Sequence, residues 1–260
     1  MARERVRFAG AATDTGRVRS HNEDTYLVRP DMGLYLVADG MGGHRAGDVA
    51  SAMVRLSIAD FFEVTEGVPG TWDAQFNENE DEELDPPARR LCASVRKANH
   101  DIHTASTAGR GAAGMGSTVV AAYLPSDASR AYIAHVGDSR CYRLRRGELE
   151  LLTQDHSLVN EALALDPDLT EEQLSRLPSN IITRALGMDE TVQVDITHRD
   201  LEPGDVFIMC SDGLSGVITN REIVETLSLI DDPTEACDVL VAMANEAGGA
   251  DNITVVALVV

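Results

Sequence analysis

The chain has 260 residues, 43% of them hydrophobic but only 4% aromatic, with 22 Lys and Arg against 43 Asp and Glu for a formal charge of −21. That length suits one sizeable core, which must be aliphatic, and one domain over residues 1–260 is expected because no interdomain linker or internal repeat interrupts it. The charge excludes nucleic acid and anionic membranes as partners, since both select basic patches.

The N-terminus MARERVRF is charged and has no apolar leader segment. Strand character follows in VRFAGAAT, DTYLV and GLYLVA, which are short, rich in Val and Tyr, and bounded by turn residues. The apolar run LYLVADGMGG stops at Asp39, and Gly40, Gly42 and Gly43 follow. AGDVASAMVRLSIADFF repeats near helical spacing, with Val49, Met53, Leu56 and Phe61 as its apolar stripe. Residues 66–87 hold the acidic run ENEDEELDPP, closed by two prolines, and read as a solvated loop. ARRLCASVRKANHDI then sets Leu91, Val95, Ala98 and Ile102 on one helix face.

STVVAAYL, RAYIAHV, DVFIMC and NITVVALVV are further strands, several apolar on consecutive positions as strands buried on both faces should be. Residues 155–184 are helical in part and read as a flap-like insertion, with Thr170 and Gln173 opening TEEQLSRL. Thr219 and Glu222 form a capping box, and Asp232, Pro233 and Glu235 start a last helix that Gly248 stops. Two helices, then strands, then two helices do not make a βαβ rhythm. An α+β fold of mostly antiparallel sheets with helices on their outer faces fits better.

Four carboxylates share one setting. Asp39-Gly40, Gly137-Asp138 and Asp212-Gly213 each follow an apolar strand, and Asp251-Asn252 precedes one. Because antiparallel neighbours place one strand's end beside the next strand's start, these residues are expected at one edge of one sheet. Asp-Gly after a strand is also an ordinary turn, but turns do not require all four positions to be Asp. Clustered carboxylates need protons or cations to coexist, and all-oxygen ligands select hard ions such as Mg²⁺ or Mn²⁺. Glycine after Asp39 lets the backbone approach, so the Gly40 carbonyl is a further candidate ligand. Arg19, in GRVRSHNED, offers a guanidinium fork for phosphate, and Glu23 and Asp24 add carboxylates suited to holding metal-bound waters.

None of the cysteines at Cys92, Cys141, Cys210 and Cys237 forms a CxxC pair or zinc-like spacing, which suits reduced thiols and a cytoplasmic protein. The histidines show no metal-like pairing; His100 and His103 share a helix face expected to meet solvent. GRGAAG, Gly109 to Gly114, matches a dinucleotide fingerprint literally, yet a helix precedes it and a strand follows, the reverse of what that site needs. No apolar run reaches the length of a membrane span.

In order along the chain stand VRSHNED, ADGMGGH, GMGSTVV, GDSR, DHS, ITRALG, CSDGLSG and ADNITVV. Together they resemble the bacterial branch of the metal-dependent PPM/PP2C-type protein serine/threonine phosphatases, from about Gly10 to Val260. The resemblance implies a four-layer α-β-β-α sandwich, two antiparallel sheets flanked by helix pairs. It implies two Mn²⁺ or Mg²⁺ ions and a weaker third. Asp39 would bridge two ions with the Gly40 carbonyl on one, Asp212 and Asp251 would hold the other, and Asp138 with Asp212 would form the third site. Arg19 would clamp the phosphate, Glu23 and Asp24 would act through water, and Asn252 would brace the site. A metal-activated water would then attack phosphorus in line, with no covalent enzyme intermediate. Expected partners are phosphoserine and phosphothreonine proteins, among them a Ser/Thr kinase and its substrates, met by a monomer.

The chain departs from the family pattern twice. Met41 stands where eukaryotic members have a histidine proposed as general acid, the nearest histidine being His44, which reads as a loop residue. Leu177 stands where bacterial members often have a histidine before the flap proline, here Pro178. Two other readings stay open at this stage: a hydrolase of small phosphate esters, and an inactive relative that serves as a binding module. The presence of all four aspartates argues against the last.

Overall fold

The computed structural model describes residues 8–42, 46–67, 76, 83–108, 114–126, 129–174, 176–178 and 181–260. Most of the acidic run, all of GRGAAG but its last glycine, and Gly43 and His44 lie outside these.

Two antiparallel sheets form the centre. The first has the order β1 (Phe8–Asp14), β11 (Ile253–Val259), β10 (Val206–Cys210), β7 (Arg140–Arg145), β8 (Glu148–Leu151). The second has the order β2 (Asp24–Arg29), β3 (Leu34–Met41), β5 (Val119–Tyr123), β6 (Arg130–Val136), β9 (Asp195–Asp200), with the short β4 (Gly116–Ser117) beside the end of β3. Helices α1 (Ala46–Val64) and α2 (Pro86–Thr107) cover the second sheet. Two short helices, α3 (Leu158–Leu165) and α4 (Glu171–Leu174), lie in the 155–184 segment, and α5 (Asp212–Ser215) directly follows β10. Helices α6 (Asn220–Leu229) and α7 (Pro233–Glu246) cover the first sheet.

Three layers of core hold the four layers of structure together. Along β3, Leu34, Leu36 and Ala38 pack toward α1 and α2, while Tyr35 and Val37 pack between the sheets against Phe207, Met209, Val256 and Leu258. That two-sided burial is why β3 reads as an unbroken apolar run rather than an alternating one. On the far side, Ile208, Val255 and Ala257 meet Ile223, Leu240 and Ala244 of α6 and α7. The α+β sandwich expected from the sequence is the fold observed.

The helix starts follow their caps. Thr219 accepts from the Glu222 amide while the Glu222 carboxylate accepts from the Thr219 amide, closing the expected capping box. Asp85, at the end of the acidic run, caps α2 through the Ala88 amide and accepts the Tyr132 hydroxyl at 2.7 Å. Leu91, Val95, Ala98 and Ile102 are all fully buried.

Three expectations are corrected. The stripe of α1 is displaced by about one residue: Ala50, Val54, Ile58 and Phe61 are buried, whereas Val49 and Leu56 are about half exposed at 48% and 51%. The small Ala46 and Ala50 are buried at the helix start, while Val49 faces solvent. Strand β3 does not stop at Asp39 but continues through Met41, because Gly40 and Met41 pair with Ser117 and Gly116. The helix opened by Thr170 ends at Leu174, short of the stretch through Leu177. Strands β7, β8 and β9 were not visible as apolar runs. They carry charge where they reach solvent, as in the Arg145–Asp205 pair at 2.6 Å and the Arg130–Asp200 pair at 3.0 Å. Among the described residues no helix is long and apolar enough to cross a membrane.

Candidate active site

Register places the first two carboxylates. Asp24, the first residue of β2, is the direct partner of Asp39 on β3. Asp212 opens α5 after β10, and Asp251 precedes β11, the neighbour of β10. Asp138 lies in the turn where the chain passes from β6 in one sheet to β7 in the other. The carboxylates therefore meet at the common end of both sheets, not at the edge of one as the strand pattern suggested. The reason is the sandwich: strands of the two sheets end at the same rim, so side chains from each face the gap.

A hydroxyl spans that gap. Ser211 Oγ donates to Asp24 Oδ2 at 2.8 Å and accepts from the Thr254 amide at 3.0 Å. Thr118 serves the other side: its amide donates to the Asp39 carbonyl at 2.8 Å, its Oγ1 accepts from the Asp39 amide at 3.1 Å, and it pairs with Ser139 Oγ at 2.7 Å. Asn252 Oδ1 accepts from the Glu23 amide at 2.8 Å, and its Nδ2 donates to the Thr15 and His21 carbonyls at 2.9 Å. One side chain thus ties the 15–23 loop to the start of β11.

Arg19, at the rim, pairs with Asp251 at 2.7 Å and is 52% exposed. Its guanidinium is held above its ordinary range by that hydrogen bond and charge. Glu23 sits against the start of α1, where Gly40 and Gly47 face each other. A Cβ on Gly47 would come within 2.8 Å of the Gly40 carbonyl and 2.7 Å of the Glu23 carboxyl carbon, and one on Gly40 would strike the Gly47 carbonyl. The glycine after Asp39 is therefore required by a close backbone approach.

Burial and mutual repulsion make the cluster hold protons. Burial, then the charges of Asp24, Asp212, Asp138 and Asp251, drives Asp39 well above the usual carboxylate range. Burial first, and Asp212 next among the charges, pushes Asp138 to about 7. Asp24 rises to about 6, mainly by burial and against the Thr254 and Ser211 hydroxyls, and Asp212 rises for the same first cause with Asp251 second. Asp24 Oδ1, Asp138 Oδ1 and Asp212 Oδ1 are buried and find no hydrogen-bond partner among the described residues. Buried acceptors without donors are costly, and three at one locus suit a cation. Oxygen-only donors of this charge fit a hard divalent ion such as Mn²⁺ or Mg²⁺.

Sequence reasoning missed a second polar cluster. His135, His156 and Asp195 present ligand-capable atoms within 4.8 Å of one another. The His135 and His156 rings stack with centroids 4.7 Å apart. Three of their four nitrogens already have neighbours: His156 Nδ1 accepts from the Gly137 amide at 3.0 Å, His156 Nε2 lies 3.0 Å from Arg184 Nη1, and His135 Nε2 bonds the Gln154 carbonyl at 2.8 Å. The Arg184 guanidinium lies 2.6 Å from Asp195 Oδ1, so a cation is already in place there. This cluster belongs to the scaffold beside Asp138. No spacing announces it, because its members come from β6, the 155–184 segment and β9.

The family model for protein phosphatase 2C matches residues 15–248. The serine/threonine phosphatase stp of Listeria monocytogenes is 37% identical over 246 residues, 94% of this chain and 92% of that protein. The crystal structure of the Mycobacterium tuberculosis serine/threonine phosphatase PstP/Ppp superposes with a TM-score of 0.80 at 33% identity, covering 97% of each chain. The catalytic domain of PstP in complex with two manganese ions superposes at 0.78 with 34% identity over 96% of each chain. The chain belongs to the protein phosphatase 2C family.

Proposed function

We infer that this protein is a metal-dependent protein serine/threonine phosphatase. The observation that carries the reading is the buried, unpartnered oxygen on each of Asp24, Asp138 and Asp212, gathered beside Asp39 with Arg19 at the rim. Asp39 and Gly40 belong to β3 in one sheet, whereas Asp212 follows β10 and Asp251 precedes β11 in the other. In this reading Asp39, the Gly40 carbonyl, Asp212 and Asp251 would hold two ions, Asp138 with Asp212 would hold a weaker third, and Glu23 and Asp24 would act through water.

Two Mn²⁺ or Mg²⁺ ions would supply a hydroxide near neutral pH and offset charge on the phosphoryl oxygens. The residues do the rest. Arg19 meets the substrate phosphate with a fork of donors, and its pairing with Asp251 fixes the direction in which that fork points. Ser211 orients Asp24 so that its second oxygen faces the gap. No nucleophilic side chain is required, so the phosphoryl group passes to water directly. Met41 has no titratable proton and does not serve as a general acid. Substrates are phosphoserine and phosphothreonine proteins, a Ser/Thr kinase and its targets among them, and the protein acts in the cytoplasm as one monomeric catalytic domain.

The test is phosphate release from a phosphothreonine peptide with Mn²⁺, with excess EDTA, and with Asp212→Asn. Turnover that requires both Mn²⁺ and Asp212 is expected. Release only from small esters would replace the reading with a small-molecule phosphatase, and no release with Mn²⁺ bound would leave a binding module.

A further inference from the structure

Asp138 has one carboxylate oxygen buried without a partner, so its own side chain does little to fix where it sits. Its backbone turn is fixed by its neighbours. Gly137 has φ +109°, and a Cβ there would lie 2.6 Å from the Thr118 side chain, so the turn is pressed against Thr118 from below. From above it is gripped by the 155–184 segment. The His156 amide donates to the Gly137 carbonyl at 2.9 Å, and the Gly137 amide donates to His156 Nδ1 at 3.0 Å. On the far side of the turn, Arg140 binds Asp155 through Nε and Nη2 at 2.9 and 2.7 Å.

His156 is itself held on every side. With Nδ1 accepting, its proton is on Nε2, which lies 3.0 Å from Arg184 Nη1 and 3.4 Å from Asp195 Oδ2. Asp195 is pinned by Arg184 at 2.6 Å, and the His135 ring covers the face of His156. These residues form the neck of the 155–184 segment. The Leu158 amide donates to the Ile181 carbonyl at 3.0 Å and the Thr183 amide to the His156 carbonyl at 2.9 Å. Beyond the neck the segment is loosely attached: α3 has no buried residue, and Leu165 is 89% exposed.

We propose that His156 is a positioning residue that clips the Gly137–Asp138 turn to the neck of the 155–184 segment and so sets where the Asp138 carboxylate meets a cation. The inference rests on the reading of Asp138 as a cation ligand. His156 touches neither substrate nor ion; it acts through the Gly137 backbone.

Asparagine and glutamine separate this role from a merely structural one. His156→Asn sets its Oδ1 where Nδ1 stands and keeps an acceptor for the Gly137 amide. His156→Gln fills the site but carries its amide group to the Nε2 position and leaves Gly137 without an acceptor. The full-length protein is stripped of metal, and two quantities are measured: Gly137 amide exchange by NMR, and Mn²⁺ binding by calorimetry, with Asp138→Asn as reference. His156→Gln is expected to speed Gly137 exchange and weaken the Asp138-dependent Mn²⁺ site by about 10-fold or more, the range for residues that orient a ligand. His156→Asn is expected to restore both. Equal behaviour of the two variants, or unchanged Gly137 exchange in His156→Gln, would overturn the positioning role. Mn²⁺ binding indifferent to Asp138→Asn would overturn the ligand reading and the inference with it. Gly137 exchange tells the two failures apart, because it reads the clip without metal.

Discussion

Ser211 Oγ reaches from the end of β10 in one sheet to Asp24 Oδ2 at the start of β2 in the other, 2.8 Å away, and both residues lie at the carboxylate cluster. Ser211 is fully buried, and its oxygen also accepts the Thr254 amide. Ser211→Ala removes a donor to a buried carboxylate and strands a buried amide. It is expected to lower stability by about 2 kcal/mol, the scale of an unsatisfied buried polar group. Mn²⁺ affinity should fall with it. Urea unfolding of the metal-free protein checks the first effect and calorimetry the second. Unchanged stability would mean that the hydroxyl does not bridge the sheets.

Asp212→Asn should have opposite effects on stability and turnover. Asp212 adds charge to a site where burial first, and neighbouring carboxylates after it, already force Asp39 and Asp24 upward. Removing that charge relieves repulsion, so the metal-free variant is expected to melt higher than the native protein. Removing a ligand oxygen should cut turnover by at least about 100-fold. Thermal melts in EDTA and phosphate release in Mn²⁺ measure the two effects. A variant with full turnover at saturating Mn²⁺ would remove Asp212 from the site.

Arg19→Ala is expected to act on substrate rather than on folding. The Arg19–Asp251 pair is about half exposed on the arginine side, 52%, and exposed pairs contribute little to stability. KM for a phosphopeptide should rise by roughly 10-fold or more as a charge-assisted fork is lost, with kcat falling less. A fall in kcat with KM unchanged would show that Arg19 acts in the transition state alone.

Asp39, Asp212 and Asp251 were legible because each stands in the sequence at one end of an apolar run, and the same pattern recurs along the chain. Antiparallel sheets with helices outside were legible from the order of helices and strands, and the two-sheet sandwich from the family resemblance; runs such as DVFIMC and ITVVALVV, apolar on consecutive positions, indicate only that their strands are covered on both faces. The sequence did not reveal that two sheets contribute to the cluster. Strand periodicity fixes which residues face the same way, but not which strands share a sheet. It also hid the node of His135, His156, Arg184 and Asp195, whose members lie on separate elements and meet only when the sandwich closes. The stripe of α1 was misplaced by one residue because Val49 and Leu56 are apolar yet exposed, while Ala46 and Ala50 do the packing.

Proton binding by the cluster sets a pH dependence for the metal-free protein. Asp138 is pushed to about 7 and Asp24 to about 6, and Asp39 and Asp212 are also raised. Between the ordinary carboxylate range, about 4, and about pH 7, the folded protein holds protons that the unfolded chain has released. Stability therefore falls as pH rises through that window. Mn²⁺ takes the place of the protons, so its stabilising effect should be largest at and above about pH 7. Melts at constant ionic strength from about pH 5 to about pH 8, with EDTA and then with Mn²⁺, measure both trends. Relief of the overall −21 charge in acid works in the same direction, so Asp138→Asn is the control. It should flatten the upper part of the slope while leaving the general charge effect in place. A metal-free protein that gains stability as pH rises from about 5 to about 7 would mean that the carboxylates are already compensated within the fold, and the case for a cation at this site would fall with it.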